Sequence, residues 1–584
     1  MRPLADDPAS FAEDMLEGFV DLYPTYVRRV PGGVVRADPT ASGKVAVVVG
    51  GGSGHYPAFC GLVGPGLADG AVVGNVFTSP STADAVSVAR ESAGDAGVVM
   101  LTGNYAGDVM NFTLAEAELT ASGIPARYLV VTDDVASAPP GQEAQRRGIA
   151  GDLTVFKVAA SAAEHGHDLA GVVALAERAN DRTRTLGVAF DGCTMPGTAE
   201  PLFHVAEGTV GLGVGIHGEP GIGEMPTMTA GELGELFVER LLAEAPADAG
   251  KRVTALLNGL GRTKYEELFV VWRAVRRALD RAGLEVVAPE AGELVTSLDM
   301  AGCSLTLMWL DDELEQHWVA PVDTPALRRG VVAGERPRAA SPAPRAATVP
   351  PTDASGDGHA EPEVVTEEDR ALAGAVVGAL TAALEAVTDA EARLAELDAV
   401  AGDGDHGRGM VRGLTHAREA ARAAADEGRD GRAALEAAGH AWADRAGGTS
   451  GVLWGSGLVA AAKKIGPSSD DVGAAVRAWL QAVTTLGRAE PGDKTMLDAA
   501  VPFAEAFTRA TVDGASLAEA WAAAVPAAHD AAAATATLRP RVGRARPLAE
   551  RSVGSPDPGA TSFALVVEAL SRLDAVALEQ EEGL

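Results

Sequence analysis

The chain has 584 residues, and 48 Lys and Arg against 81 Asp and Glu give it a formal net charge of −33. Hydrophobic residues make up 47% of the sequence, which is enough to form buried cores and excludes a wholly disordered chain. The acidic balance argues against nucleic acid as a main partner, because phosphate backbones are bound by basic surfaces. The three cysteines are far apart, so they predict neither a disulfide framework nor a cysteine zinc site.

The amino-terminal segment is acidic and has no apolar run behind a basic head, so it lacks the pattern of a signal peptide. No run of 18 apolar residues occurs, and we therefore expect no membrane span. Together these two features predict a soluble, cytoplasmic protein.

One segment, residues 331–365, is rich in Pro, Ala, Ser and Gly and has no hydrophobic period. Such a composition cannot form a core and is typical of a semi-extended linker. The sequence therefore predicts a first domain at residues 1–330 and a second domain at residues 366–584.

The first domain alternates short apolar runs with amphipathic segments. The apolar runs predict strands at residues 44–52, 71–77, 97–104, 126–134 and 253–261. The amphipathic segments predict helices at residues 82–92, 112–123, 229–245 and 264–283. This alternation predicts an α/β domain built on a parallel-type sheet with helices on both faces. Ligands of such domains gather beyond the carboxyl ends of the strands.

The second domain is rich in alanine, and its apolar residues recur with helical spacing. This pattern predicts an all-α domain with helices at residues 367–387, 413–428, 431–447, 471–487, 515–538 and 560–578.

Three glycine-rich or strand-end loops of the first domain carry polar side chains. They are GGGSGHYP with His55, NYAGD with Asp108, and GIHGEPG with His217. A single histidine is more often structural than functional, but three such loops in one α/β domain favour a small-molecule site. Imidazole and carboxylate groups together supply a nucleophile or acid and a general base.

The second domain places three aspartates within eight positions, Asp398, Asp403 and Asp405, and glycines 402, 404 and 407 let this loop fold tightly. Grouped carboxylates suit a hard cation such as Mg²⁺, although a solvated acidic turn is the alternative for such a loop alone. The GGTSG segment carries Thr449 and Ser450 before a predicted helix, where it would cradle phosphate or pack helices closely.

Two further segments of the second domain add charged residues. The first is a turn with Asp493, Lys494 and Thr495, and the second contains Arg544, Arg551 and Asp557. Carboxylates, Gly-Ser loops and cations in one domain predict a nucleotide–magnesium site, because phosphoryl transfer depends mostly on positioning and charge neutralisation.

Taken together, these motifs resemble those of the single-chain, ATP-dependent dihydroxyacetone kinase family over nearly the whole chain. GGGSGH, NYAGD, GIHGEPG and NGLG are similar to motifs of its substrate domain. GDGD, GGTSG, PGDKTMLDA and SPDPGA are similar to motifs of its nucleotide domain. The resemblance implies an α/β substrate domain of two subdomains, a nucleotide domain that forms a barrel of helices, and a homodimer.

The resemblance also implies roles for the substrate-domain residues. A short ketose would be held as a covalent hemiaminal on His217, Asp108 would act as general base on the terminal hydroxyl, and His55 would hydrogen-bond the substrate. The residues lining this pocket would be Gly52, Ser53, Gly54 and Gly103.

In the second domain the resemblance implies that ATP is held through two Mg²⁺ ions on Asp398, Asp403 and Asp405. The implied nucleotide-binding residues are Gly402, Gly404, Gly407, Gly448, Thr449, Ser450, Thr495, Met496, Arg544, Asp557 and Gly559.

The sequence departs from the family pattern at three positions near the predicted ketose site. Tyr56 and Phe59 replace a Glu and a His, and Gly103 replaces a Lys. Loss of the long cationic side chain at position 103 predicts room for a ketose larger than dihydroxyacetone. We therefore expect erythrulose to be favoured as substrate, with dihydroxyacetone next.

Two other functions remain open at this point. Some relatives suggest a lyase or cyclase that splits FAD-type nucleotides, and others suggest a non-catalytic, ketose-sensing regulator. The aspartate trio and the fused nucleotide domain favour a kinase that uses free ATP.

Overall fold

The computed structural model describes residues 4–8, 10–331, 366–402, 404, 406–466, 468–542 and 549–572. The contacts divide the chain into two compact units between residues 339 and 340. Nearly all of the predicted linker lies outside the described residues.

The first unit contains a six-stranded sheet of largely buried, valine-rich strands. Its strands are β1 (Val27–Val30), β2 (Gly33–Arg36), β3 (Ala46–Ser53), β4 (Gly70–Val76), β5 (Val98–Gly103) and β6 (Ala126–Val131). Their order is β1-β2-β4-β3-β5-β6, and β4, β3, β5 and β6 run parallel, as the sequence predicts. Because β3 and β5 are parallel neighbours, the loops that follow them leave the same edge of the sheet.

The second sheet of this unit is mixed. Its order is β11-β10-β13-β7-β8-β9, with β12 beside β10, and every pairing from β10 to β9 is antiparallel. The expectation of a parallel-type sheet is therefore wrong here, because antiparallel neighbours need no crossover helix. The strands are β7 (Thr183–Asp191), β8 (Thr209–Leu212), β9 (Gly223–Pro226), β10 (Arg252–Gly259), β11 (Glu285–Val286), β12 (Glu290–Gly292) and β13 (Ala301–Trp309), and β14 (Val322–Asp323) pairs with β15 (Arg328–Arg329).

Helices cover both sheets, and those predicted at residues 82–92, 229–245 and 264–283 occur within a few residues of their expected ends. The helix predicted at 112–123 begins earlier, so Asp108 lies in its first turn rather than in a loop. A carboxylate at that position is favoured by the helix dipole. The helices are α1 (Phe11–Leu22), α2 (Thr82–Ser92), α3 (Ala106–Ala121), α4 (Asp152–Glu164), α5 (Leu169–Asp181), α6 (Ala230–Leu242), α7 (Tyr265–Arg281) and α8 (Asp312–Val319).

The second unit is helical throughout its described part, as its alanine-rich periodicity predicts. Neighbouring helices pack in the order α9, α11, α12, α13, α14, α15, α16 and α18, and α18 packs back on α9, which closes a barrel. The helices are α9 (Glu367–Asp389), α10 (Glu391–Ala399), α11 (His406–Asp426), α12 (Gly431–Ala446), α13 (Gly448–Ala462), α14 (Ser469–Gly487), α15 (Leu497–Val512), α16 (Leu517–Ala534), α17 (Ala549–Ser552) and α18 (Pro558–Leu570).

The helix α9 is long and apolar enough, by length and composition alone, to cross a membrane. It packs against α11, α12 and α18 in the barrel. Contacts with these helices therefore explain part of the apolar composition of α9.

The predicted loop around GGTSG is instead mostly helical, because α13 begins at Gly448. The glycines of this stretch allow close helix packing: a Cβ on Gly455 would lie 2.6 Å from the Ala443 Cβ of α12. Tertiary contact between α12 and α13 thus outweighs the low helix propensity of glycine.

The barrel core contains stacked aromatic rings that also require glycine. The rings of Trp442 and Trp454 stack with centroids 5.1 Å apart. Opposite them, a Cβ on Gly413 of α11 would lie 2.5 Å from the Trp442 Nε1 atom, which is inside van der Waals contact. The absence of a side chain at position 413 therefore sets how closely α11 approaches α12.

This packing predicts opposite effects for two glycine substitutions on helices of the barrel. Gly413→Ala should lower the free energy of unfolding by about 1–3 kcal/mol, because overpacking outweighs the gain in helix propensity. Gly374→Ala on α9, where a Cβ would meet nothing within 4 Å, should raise it by about 0.5–1 kcal/mol. Urea unfolding of the full chain measures both, and equal stabilisation by the two variants would contradict the packing.

Candidate functional site

Two of the sequence-predicted histidines meet in the first unit. The His55 Nε2 and His217 Nε2 atoms lie 3.0 Å apart. Both side chains are largely buried, with His55 2% exposed and the His217 side chain 18% exposed. Loops that are 162 residues apart in the chain thus form one hydrogen-bonded pair.

Local backbone geometry fixes the position of His55. Gly54 has a φ of +99°, which favours glycine, and a Cβ on Gly52 would lie 2.6 Å from the backbone nitrogen of Thr78. The imidazole of His55 stacks on Phe77 with a centroid distance of 5.0 Å. Its Nδ1 lies 2.8 Å from the carbonyl oxygen of Thr296.

The NGLG motif fixes this same segment through the side chain of Asn258. The Asn258 side chain accepts from the backbone nitrogens of Leu294 and Val295 and donates to the carbonyl oxygen of Val295. Two residues later, Ser297 Oγ donates to the carbonyl of Ile216 at 2.5 Å. Asn258 therefore holds the segment that fixes both histidine loops.

Glu219 holds His217 from the other side. Its carboxylate lies 3.0 Å from His217 Nδ1 and accepts the backbone N–H of His217 at 2.9 Å. Burial by itself would raise the pKa of Glu219, but His217 and then Arg147 outweigh burial and hold the pKa well below its usual value. Arg147, 3.8 Å from Glu219, also pairs with Asp134 at 2.7 Å.

The hydrogen-bond partners assign the protons of the two rings. A carbonyl oxygen only accepts, so His55 Nδ1 carries a hydrogen toward Thr296. Burial, followed by the charge of His217, lowers the pKa of His55 to about 3, so the ring is neutral and its Nε2 is an acceptor. His217 Nε2 must then donate to His55, and His217 Nδ1 donates to Glu219. The contact between the two Nε2 atoms therefore has His217 as its donor and His55 as its acceptor.

Asp108 lies on the helix α3, whose first flanking residue contacts the pair. Tyr105, the residue that caps this helix, places its ring 4.6 Å from the His217 ring in an edge contact. Asp108 follows in the first turn and is 7% exposed. Within the described part of the chain, the buried Ser53 Oγ has no hydrogen-bond partner, so it is a group that a ligand hydroxyl would satisfy.

Gly103 lies close to Tyr105 and to the Gly148 backbone. A Cβ there would lie 3.0 Å from the Tyr105 ring and 3.3 Å from the carbonyl oxygen of Gly148. A Cβ on Gly148 would in turn lie 2.4 Å from the Gly103 Cα. A side chain at position 103 would therefore first meet the Tyr105 ring and the Gly148 carbonyl, and the expectation of extra room here stays a prediction.

The other two departures from the family pattern lie beside the histidines but have different surroundings. Phe59 is 7% exposed and belongs to the apolar core, where its ring fills the space beside Gly51 and packs near Phe156. Tyr56 is 40% exposed, with its ring 6.1 Å from that of Phe19. Phe59 thus contributes apolar packing where a histidine would contribute a polar group.

In the second unit, Asp398 lies near the end of α10. The backbone N–H of Gly402 donates to its carbonyl at 2.6 Å, and a Cβ on Gly402 would lie 2.4 Å from Asp398 Oδ1. Gly404 has a φ of +74°, and a Cβ on Gly407 would meet the carbonyl of Glu391 at 2.3 Å. Gly402 and Gly404 thus permit the tight turn, and Gly407 permits the close approach of α11 to Glu391. Asp403, Asp405 and Arg544 lie outside the described residues.

Asp557 lies near other acidic side chains, and Gly559, two residues later, lies near Met496. Asp557 caps α18 by accepting from the Ala560 nitrogen at 2.7 Å. Burial, followed by repulsion from Asp498 and Asp398, raises the pKa of Asp557 to about 7. A Cβ on Gly559 would lie 3.5 Å from the Met496 Cβ, and the Thr495 backbone nitrogen donates to Asp498 at 2.7 Å.

Clustered carboxylates of this kind provide the oxygen donors and the negative potential that a hard divalent cation requires, so the described residues fit Mg²⁺. Thr449 and Ser450 occupy the first turn of α13, after Gly447 and Gly448, both at positive φ. The amides of such a first turn are free to bind an anion.

Lys494 has a different role from the one its position suggested. It is 4% exposed, and its Nζ donates to the carbonyl oxygens of Ser552 at 2.6 Å and Ser555 at 2.8 Å. It therefore ties two turns together and is structural in this arrangement.

Sequence reasoning missed three residues of the histidine site. Glu219 could have been found, because it lies two residues from His217 in the same glycine-rich loop. Asn258 lay in a motif whose role was unassigned, and Thr296 acts through its backbone carbonyl, which leaves no signal in the sequence.

Comparisons with known proteins agree with this architecture. Residues 17–326 match the Dak1 domain and residues 400–572 match the DAK2 domain. The chain is 58% identical to a D-erythrulose kinase of Mycolicibacterium smegmatis, covering 97% of each chain. It is 50% identical to an L-erythrulose kinase of Pectobacterium atrosepticum, covering 98% of this chain and 96% of the relative.

The solved dihydroxyacetone kinase of C. freundii in complex with AMP-PNP and Mg²⁺ is similar in structure. Its TM-score is 0.52 at 28% identity, with 98% of this chain and 99% of that chain covered. An α/β Dak1 unit followed by an all-helical DAK2 unit defines a kinase that transfers phosphate to an alcohol group. The chain belongs to the single-chain dihydroxyacetone/erythrulose kinase family.

The environment of Glu219 predicts a pH-dependent contribution to stability. Its folded-state pKa lies below the unfolded value of about 4.3, so the carboxylate stabilises the fold above that pH and this stabilisation is lost as the pH falls through the folded-state pKa. Glu219→Gln should lower the free energy of unfolding by about 1.5–3 kcal/mol at pH 7. Urea unfolding between pH 7 and pH 3.5 should show this difference shrinking toward the acid end.

The exposed Glu207 provides the matched control, because Glu207→Gln removes an acid from the surface of the same unit. Its effect should stay within about 0.5 kcal/mol across the range. A Glu219→Gln effect that is constant with pH would contradict the ion pair.

Proposed function

We propose that the protein is an ATP-dependent kinase that phosphorylates the terminal hydroxyl of a short-chain ketose, with erythrulose favoured and dihydroxyacetone next. The ketose is held as a covalent hemiaminal on His217. The observation that carries this proposal is the hydrogen-bonded series of His55, His217 and Glu219.

The proton positions allow hemiaminal formation with balanced charges. His217 Nε2 passes its proton to His55 Nε2 and its lone pair forms the bond to the ketone carbon. The carbonyl π pair moves to the oxygen, which takes the proton from His55. The alkylated His217 ring carries a positive charge and retains its Nδ1–H bond to Glu219, so no proton is exchanged with solvent.

Asp108 then acts as general base on the terminal hydroxyl. Its place in the first turn of α3, three residues after the Tyr105 ring that touches His217, supports this role. Covalent capture fixes the hydroxyl relative to the base and lowers the entropic barrier to transfer. It also favours ketones over glycerol, which has no carbonyl carbon to accept the histidine. Gly52, Ser53, Gly54 and Gly103 form the surrounding backbone and hydroxyl contacts.

The second unit holds the nucleotide. Asp398, Asp403 and Asp405 are the proposed ligands of Mg²⁺, which when bound neutralises charge on the triphosphate. The crowding of Asp398, Asp498 and Asp557 supports this assignment, because a cation relieves their mutual repulsion. The remaining proposed nucleotide contacts are Gly402, Gly404, Gly407, Gly448, Thr449, Ser450, Thr495, Met496, Arg544, Asp557 and Gly559.

Erythrulose is favoured because both relatives described above are named erythrulose kinases and align along nearly the whole chain. Their names differ in the enantiomer, so the proposal covers both. A homodimer and a cytoplasmic location remain predictions of the family resemblance and of the sequence. The nucleotide lyase and the ketose-sensing regulator would use the same folds without the His217 chemistry, and the first experiment below separates them.

Replacing the nucleophile tests the covalent step. His217→Ala should lower kcat/KM for ketose phosphorylation by about 10³-fold or more, while ATP binding stays unchanged, because binding and positioning of the ketose are lost. A coupled ATP assay and isothermal titration with a non-hydrolysable ATP analogue measure the two properties.

The control is His204→Ala, which removes an exposed histidine of the same unit, 64% exposed at its side chain. This variant should keep wild-type kcat/KM. Near-normal phosphorylation by His217→Ala would contradict the covalent mechanism, and absence of ketose phosphorylation in the wild type would favour the lyase or the regulator.

A substrate panel tests the ketose preference. With dihydroxyacetone, D-erythrulose and L-erythrulose in one coupled assay, we expect the better erythrulose enantiomer to exceed dihydroxyacetone in kcat/KM by about 10-fold or more, since one extra carbon contact changes discrimination on that scale. A higher value for dihydroxyacetone than for both enantiomers would refute the preference and leave the kinase activity intact.

A further inference from the structure

A second cluster of histidine and carboxylate side chains lies in the first unit, where the turn between α4 and α5 meets α8. His167, Glu313 and His317 each offer a ligand atom, and these atoms all lie within 4.8 Å of one another. Glu313 and His317 are four residues apart on α8, so they share one face of the helix. The proposed kinase reaction uses none of the three.

His317 is held in one orientation. Its side chain is buried, at 1% exposure, and its Nδ1 lies 3.1 Å from Ser161 Oγ of α4. The rings of His165 and His167 each lie 5.4 Å from the His317 ring and nearly perpendicular to it. With Nδ1 bound to a hydroxyl, Nε2 is the nitrogen left for another partner, an arrangement typical of histidines that bind metal ions.

We propose that His167, Glu313 and His317 form a binding site for a divalent transition-metal ion of the zinc class. Two imidazole nitrogens and one carboxylate oxygen suit Zn²⁺, whereas Mg²⁺ prefers oxygen ligands and water. Three protein ligands leave one tetrahedral position for water.

This site is separate from the ketose site. The helix α4 begins at Asp152, on the side of the ketose site, where a Cβ on Gly148 would lie 2.8 Å from the Asp152 carboxylate. The helix ends at Glu164, next to the cluster. Its 13 residues span about 20 Å. The ion would join the α4–α5 turn to α8 and stabilise the folded unit, because it binds the folded state alone.

Arg178 competes for one of the ligands. It forms an ion pair with Glu313 and lies 3.6 Å from Asp311. The side chains of Arg178 and Glu313 are 37% and 48% exposed, and such surface pairs contribute little stability. When the metal ion binds, Glu313 therefore exchanges its ion pair with Arg178 for a bond to the ion, and Arg178 retains its ion pair with Asp311.

The test uses the full chain without a histidine tag, freed of metal with a chelator. Competition with a chromophoric zinc indicator gives the number of Zn²⁺ ions bound and their Kd. We expect His167→Ala to bind one equivalent fewer than the wild type, and Glu313→Gln to bind that equivalent at least 10-fold more weakly. Millimolar Mg²⁺ should not displace it.

His416→Ala is the matched control, because His416 is a partly exposed histidine beside Glu419 in the other unit. It should bind as many Zn²⁺ ions as the wild type. The wild-type chain should also gain several degrees in unfolding temperature with Zn²⁺, a gain that His167→Ala lacks. Equal Zn²⁺ binding by His167→Ala and wild type, or no binding by the wild type, would overturn the proposal whatever the kinase assay shows.

Discussion

The buried pair of His217 and Glu219 is the interaction on which the first unit's site depends. The carboxylate accepts both the ring Nδ1–H and the backbone N–H of His217, so it fixes the side chain and the loop together. Gly215 has to be small, because a Cβ there would lie 2.2 Å from Glu219 Oε2. Arg147 offsets the buried charge and links this loop to Asp134.

The two histidines have different surroundings although their Nε2 atoms are in contact. Burial, followed by the charge of His217, lowers the pKa of His55 to about 3, whereas His217 lies against the Glu219 carboxylate. One ring is thus an acceptor and the other a donor. Enzymes commonly place two side chains of the same type in different surroundings, so that one acts as nucleophile and the other carries the proton.

In the second unit several acidic side chains lie close together, and the nearby Lys494 is bound to backbone carbonyl oxygens. Burial, followed by repulsion from Asp498 and Asp398, raises the pKa of Asp557 to about 7. The barrel therefore concentrates negative charge at one place, and this is the physical reason to expect a divalent cation there.

The amino-acid sequence by itself determined the fold class. The first domain alternates apolar strand-like runs with amphipathic helical segments, whereas the second domain has helical spacing throughout, and each pattern is repeated over many elements. It also indicated His55, Asp108, His217 and Asp398, since glycine-rich loops mark places where backbone and ligand approach closely. Only the tertiary structure decided the antiparallel second sheet, the helical GGTSG segment and the packing at Gly103. Those features, like the Thr296 carbonyl beside His55, depend on contacts between distant segments, which leave no local pattern in the chain.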